Sequence, residues 1–439
     1  MLELSPQELE NLAKRHIMRT WDHSGLTLTE GKGVKVRDIW GKEYIDCTSQ
    51  AWTLAVGYSH PKVIQAVRDQ LNKMVQVFAS FYNVPQIMLA KKLAELTPPE
   101  FTKVAFTLSG ADAIEGAMRL AMRYTGGQDF ITLYHGYHGR TFSTTAMSHT
   151  YPSYVKCKRG VERFIPKPTR VPNFYCYRCY FDKKYPQCDL FCAKFLERAL
   201  DHAVDSKVAG VLLEPIQGNG GHIFPPPGYL KRLGQICTER DIPLIYDEIQ
   251  TGFGRCGTWF AAEAFGAFPD ILVVGKGLGG GFPITGIITS EKFDLFNPGD
   301  WGSTQGGNPI SCTAALATIK VIEEEQLLEN AKVVGRVFMD RMKELAEVYE
   351  FIGDVRGIGL FLSVEIVQDK KSKKEDPQTA LGIVRKALQK GVIIAKSGIG
   401  DVGNVLKIKP PLSITVSEME KVVDVLEVCF REMTDSNKI

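Results

Sequence analysis

No charge of one sign dominates this chain. Its 53 lysines and arginines stand against 50 aspartates and glutamates, a formal net charge of +3 over 439 residues. That balance leaves no electrostatic footprint for nucleic acid or for an anionic membrane surface. Long apolar runs are also missing; stretches such as Ile271 to Val274 are far too short to span a bilayer. Internal repeats and low-complexity linkers are absent as well. Ser5-Pro6-Gln7-Glu8 offers a cap, a first-turn proline and a capping-box glutamate, so it reads as a helix start, not a targeting segment. Ten cysteines are scattered through a long chain instead of being arrayed as in a short secreted one, which fits a reducing compartment. The expectation is a cytoplasmic, globular protein with a large domain and a smaller one.

What is present is a series of short apolar runs, each ending on a polar residue or glycine. Val208 to Leu213 runs into Glu214-Pro215, Ile242 to Tyr246 into Asp247-Glu248, and Ile271 to Val274 into Gly275-Lys276. Such near-continuous runs are what strands buried on both faces look like. A helical pattern over Tyr229 to Glu239 lies between two of them, as parallel strands with crossover helices require. Ligands in such sheets sit beyond the carboxyl ends of the strands, where Glu214, Asp247 and Lys276 would emerge together. From about Asn330 long amphipathic helices (331–348, 379–390, 417–433) surround strands at 360–366 and 392–395, a smaller α+β unit.

Ser109-Gly110-Ala111-Asp112 precedes a helical stretch, and small residues there let backbone N–H groups approach an anion. Alone this is no more than a capped helix. It is followed by Tyr137-His138-Gly139-Arg140-Thr141, Glu214-Pro215-Ile216-Gln217-Gly218, Asp247 to Arg255 and Gly275-Lys276-Gly277-Leu278-Gly279-Gly280-Gly281-Phe282-Pro283. In content, order and spacing the set resembles the class III (ω-) aminotransferases, fold-type I pyridoxal-phosphate enzymes, over nearly the whole chain. The resemblance implies an α/β fold: a large domain with a mostly parallel sheet and helices on both faces, plus a smaller α+β domain. It implies an N-terminal segment (1–60) packing with the small domain, a large cofactor-binding domain (61–329) and a C-terminal small domain (330–439).

By that resemblance Lys276 carries pyridoxal 5′-phosphate as a Schiff base and later shuttles the proton, while Asp247 keeps the pyridine nitrogen protonated. Gln250 should hydrogen-bond the ring hydroxyl, and Tyr137 and Ile249 should sandwich the ring. Gly110 and Ala111, with Ser109 nearby, should hold the phosphate. His138 and Glu214 belong to the same cofactor site. Thr304, in Gly302 to Pro309, matches a threonine that completes the phosphate site of the neighbouring subunit, so a homodimer is implied.

Substrate recognition departs from the family. Arg140 matches the arginine with which 4-aminobutyrate aminotransferases bind a carboxylate, a task suited to a planar guanidinium. A second arginine is replaced by Lys407, and the glutamate that pairs with it by Asn219, so both members of the pair have changed. The expected reaction moves an amino group from an ω-amino acid such as 4-aminobutyrate, or a related amine, to a 2-oxo acid. Two other reactions on the same cofactor stay open. One is decarboxylation of a dialkylglycine, although Ala51 stands where that enzyme has a glutamine and Gln50 is one place off. The other is amino-acid racemisation. A non-catalytic homologue serving as a binding protein would have lost Lys276 or Asp247, and both are present.

Cys176, Cys179, Cys188 and Cys192 form a CxxC and a CxxxC in an insertion at about 173–193, after a stretch containing Pro166, Pro168 and Pro172. The spacing could hold structural zinc, or an iron–sulfur cluster, in a loop without its own core. Reduced thiols, or a pair of disulfides, are the other readings.

Overall fold

The computed structural model describes residues 4–18, 20, 24–149, 167–204, 206–397 and 403–436; Pro166 lies outside them. The chain opens as read: Ser5 caps the helix Pro6–His16 in a capping box with Glu8. Strands β1 (Leu28–Lys32), β2 (Lys35–Asp38) and β3 (Glu43–Asp46) then form an antiparallel meander.

The central sheet has seven strands: β4 (Lys103–Thr107), β5 (Asp129–Leu133), β6 (Thr169–Val171), β7 (Val208–Leu213), β8 (Leu244–Asp247), β9 (Ile271–Val274) and β10 (Thr285–Thr289). Their order is β4-β10-β9-β8-β7-β5-β6, with only β10 antiparallel to its neighbours. Successive residues of the inner strands feed different apolar clusters. Val211, Leu244, Tyr246, Leu272 and Val274 join one cluster, while Leu212, Ile245, Ile271 and Val273 join the other. A strand covered on both faces needs apolar residues at every position, which is why these segments lack alternation.

Helix Gly110–Thr125 lies across β7, β9 and β10. Its buried Ala113, Ile114, Ala117, Met118 and Ala121 recur at helical spacing, and Gly126 (φ 69°) ends it in the left-handed region. Helix Tyr229–Glu239 occupies the segment read as helical.

Beyond residue 330, β11 (Ile352–Ile358) and β12 (Phe361–Ile366) pair as a hairpin. The apolar stretch expected as one strand at 392–395 splits. β13 (Val392–Ile393) runs parallel to β3, whereas β14 (Ala395–Lys396) pairs with β15 (Val405–Ile408), itself paired with β12. The N-terminal meander and the C-terminal sheet are thereby joined through one short segment. β15 delivers Lys407 toward the large sheet, and Lys409 follows directly after it.

Candidate active site

Three neighbouring parallel strands end on one side of the sheet. Glu214 follows β7, Asp247 closes β8, and Gly275-Lys276 follows β9. Asp247 and Lys276 border a cavity of about 450 Å³, within the usual range for small-molecule sites, while Glu214 lies outside its lining. Gly110, Ala111, Tyr137, His138, Arg140, Asp247, Ile249, Gln250 and Lys276 line it. Motifs far apart in sequence therefore converge, as the strand order demands.

Asp247 is buried and its Oδ2 lies 2.9 Å from His138 Nδ1. The other oxygen accepts from the Ile249 backbone N–H at 3.2 Å. Glu214 accepts from the backbone N–H groups of Tyr137 (2.9 Å) and Gly218 (2.8 Å), fixing the turn that carries Tyr137. Burial, with Asp247 nearby, pushes the Glu214 carboxyl up to about 7. Lys276 sits at φ 43° on a short 3₁₀ turn. Burial lowers its pKa from the ordinary lysine value, opposed by Asp247 and Glu214. A less basic amine is a better nucleophile and proton carrier at neutral pH.

The cavity fits pyridoxal phosphate. Lys276 is the half-buried amine that could capture an aldehyde. Ser109 caps helix Gly110–Thr125, so the first backbone N–H groups of that helix face the cavity as an anion cradle. A methyl group on Gly110 would lie 2.7 Å from Ile249 Cδ1, so glycine is what leaves the cradle open. Gln250 Oε1 is buried without a partner among the described residues, an acceptor waiting for a hydroxyl.

Other candidates are placed differently. Thr304 is exposed and outside the cavity, its carbonyl accepting from Gln76 Nε2 at 2.8 Å. Asn219 and Lys407 do not line the cavity either; Lys407 Nζ lies 5.4 Å from the centre of the Trp52 ring. Gln50 is committed elsewhere, its amide donating to Tyr58 Oη (2.6 Å) and Asp46 Oδ2 (3.3 Å). Trp52, Thr53, His222 and Lys409 were not singled out from sequence, although Lys409 stands inside the motif that contains Lys407.

Of the three readings of the cysteine cluster, metal, disulfides and reduced thiols, the described geometry favours the last. Among the described residues, no three His, Cys, Asp or Glu side chains group so as to hold a metal ion. Cys176, Cys179, Cys188 and Cys192 are free thiols around one small cavity. Burial, then neighbouring thiols, pushes Cys176 up to about 11 and Cys192 to about 12, so both stay protonated. The insertion instead has packing of its own. Phe181 packs edge-on against Phe191 and at a tilt against Phe195, Arg178 Nε pairs with Glu365 at 2.7 Å, and Tyr180 Oη meets His135 Nε2 at 2.6 Å.

Comparison with known proteins agrees with this geometry. Residues 17–430 match the family model described as aminotransferase class-III. The acetylornithine aminotransferase of Methanothermobacter thermautotrophicus is 37% identical over 424 residues, covering 96% of this chain and 98% of the relative. A leucine/methionine racemase of Thermococcus litoralis is 37% identical over 419 residues, 94% of this chain and 92% of the relative. A probable 4-aminobutyrate aminotransferase of Bacillus subtilis is 35% identical over 408 residues, 92% of each. Among solved structures, the omega transaminase of Pseudomonas jessenii in complex with PMP superposes with a TM-score of 0.90 at 27% identity, covering 97% of this chain and 98% of that one.

Proposed function

The chain belongs to the class III aminotransferases, pyridoxal-phosphate enzymes, and from that premise we propose that it moves an amino group from an ω-amino acid, 4-aminobutyrate-like, or a related amine to a 2-oxo acid. The observation that carries this is Arg140, a guanidinium lining the same cavity as Lys276, so one substrate can present a carboxylate to one and an amine to the other.

When bound, pyridoxal phosphate supplies an aldehyde and an electron-withdrawing ring. The chain supplies the rest. Ser109, Gly110 and Ala111 would hold the phosphate, Tyr137 and Ile249 would flank the ring, and Gln250 would accept from its hydroxyl. Asp247, oriented by His138, would hold a proton on the ring nitrogen. Lys276 Nζ, once displaced by the substrate amine, would take the proton from the substrate carbon that bears that amine and deliver it to the former aldehyde carbon of the cofactor.

The homodimer belongs to this proposal. Phe78, Phe81, Tyr82, Val84, Ile87 and Met88 leave apolar surface exposed on the segment beside Thr304, which suits a second copy of the chain. Thr304 would then reach the partner's phosphate site. We place the domain boundaries at residues 60 and 329, and the protein in the cytoplasm, where free thiols persist. No helix among the described residues is long and apolar enough to cross a membrane.

The test is a spectrum of the holoenzyme mixed with single amino donors in the absence of oxo acid. Loss of the cofactor's long-wavelength absorbance with 4-aminobutyrate, restored by a 2-oxo acid, supports the proposal. Persistence of that absorbance while solvent deuterium enters an α-amino acid would favour racemisation, a reading supported by the Thermococcus relative. Gas release from a dialkylglycine would favour decarboxylation, against which Gln50 already stands committed to Asp46 and Tyr58.

A further inference from the structure

The cysteine-rich insertion contributes no side chain to the cavity, yet it grips two loops that do. Tyr180, the residue after Cys179, brings its hydroxyl to 2.6 Å from His135 Nε2, and its ring packs edge-on against Tyr134. The buried Asn173 donates through Nδ2 to Gln217 Oε1 at 2.7 Å, and Gln217 Nε2 donates to the Tyr134 carbonyl at 2.8 Å. A third tie runs through Glu365, which accepts from Tyr175 and Arg178 of the insertion and from Arg356. The remaining nitrogens of Arg356 donate to the carbonyls of Gly221 and His222, each at 2.7 Å. All three ties end on the loop after β5 or the loop after β7.

Those loops set two residues of the cavity wall. His135 lies two places before Tyr137 and has φ 65°, a left-handed conformation that a residue with a Cβ adopts at a cost. It presses on the loop after β7: a methyl group on Gly220 would lie 2.6 Å from the His135 carbonyl oxygen and 2.8 Å from its Cβ. On the far side of the same loop, a methyl group on Gly218 would collide with Gln250 Oε1. Glu214 holds the N–H groups of Tyr137 and Gly218 together. A displacement of His135 therefore reaches Tyr137 along the chain and Gln250 through the glycines, because close-packed interiors transmit strain. Burial, then His149, lowers the His135 imidazole to about 4, and burial raises the Tyr180 phenol. The pair meets uncharged at neutral pH, so removing the hydroxyl strands no charge.

We propose that Tyr180 is a positioning residue for the cofactor site: through His135 it fixes Tyr137 and Gln250 around the pyridine ring, and the insertion serves the reaction as a brace. The role rests on the cofactor reading above.

The test is a double-mutant cycle on the full-length protein, with Tyr180→Phe and His135→Asn made singly and together. Asparagine tolerates the left-handed turn but is too short to reach the phenol. Two quantities are read: the dissociation constant of pyridoxal phosphate and the visible circular dichroism of the bound cofactor. Tyr180→Phe should weaken cofactor binding about fivefold, the scale of one hydrogen bond, and diminish the visible band, with its urea midpoint unchanged. The double variant should be no weaker than either single one, since both remove the same bond. If His135→Asn does not fold, His135→Gln takes its place in the cycle. A Tyr180→Phe protein that binds within about twofold of the wild type and keeps its visible band overturns the positioning role alone. Additive losses in the cycle, or a loss of affinity matched by a lower urea midpoint, also overturn it, since Tyr180 would then support only the fold. A wild-type protein that takes up no pyridoxal phosphate overturns the cofactor reading and the positioning role together.

Discussion

His138 Nδ1 lies 2.9 Å from Asp247 Oδ2, and both side chains are buried beneath the cavity that Lys276 lines. The imidazole fixes the carboxylate's orientation while the Ile249 N–H holds its other oxygen. The Asp247→Asn enzyme should keep its circular dichroism and lose kcat by about 100-fold or more, the scale of a positioned acid or base. A loss under tenfold would remove Asp247 from the role assigned to it.

Arg140→Met should weaken recognition of carboxylated donors. Loss of hydrogen bonds to a charged partner is worth about 1.5–3 kcal/mol, or about 10–150-fold. The kcat/KM for 4-aminobutyrate should therefore drop by that factor relative to n-butylamine. Equal drops for both amines would show that Arg140 supports the fold and not the substrate.

Ligand binding should depend on pH through Lys407. The groups around it are Lys276, Lys396, Lys409, His222 and Glu214, and burial brings its pKa to about 8. Below that value the ammonium is charged and attracts a carboxylate; above it the attraction is lost. Affinity for glutarate, a dicarboxylate that carries no amine to transfer, should decline as pH rises through about 8. Because Glu214 raises the Lys407 pKa, Glu214→Gln should move the decline to lower pH. A flat profile in the wild type would contradict this assignment.

Glu365 holds the cysteine-rich insertion to the C-terminal sheet. It is fully buried and accepts from Arg178 Nε and Arg356 Nη1, each at 2.7 Å, and from Tyr175. Burial would raise its pKa, but Arg356 and Arg178 bring it below the ordinary glutamate value. Its stabilising share is present above the unfolded value near 4.5 and is lost as pH falls through the lower folded value. Glu365→Ala strands buried guanidinium groups and should cost about 3–5 kcal/mol in urea unfolding. A change below about 1 kcal/mol would show that the network relaxes without it.

Much of this site was legible in the sequence because it is built from local signals. Strands buried on both faces announce themselves as unbroken apolar runs, so β7 and β9 fell where the runs did, and Glu214, Asp247 and Lys276 emerge at strand ends. The grouping of lysines around Trp52 was not legible. It depends on a left-handed turn of residues that do not favour one, and on a strand almost 360 positions later that brings Lys407 and Lys409 against it. Cysteine spacing suggested a metal, but spacing carries no information about Phe181, Tyr180 and Glu365, whose contacts order the loop. The split of 392–395 between two sheets was likewise invisible, since pairing partners lie far away in sequence.

The most direct test is the absorbance of the Lys276→Ala enzyme reconstituted with pyridoxal phosphate. If Lys276 holds the cofactor and moves the proton, the long-wavelength band of the lysine-bound cofactor disappears and amino transfer stops, while circular dichroism matches the wild type. An enzyme that keeps that band and still turns over would contradict the account at its centre.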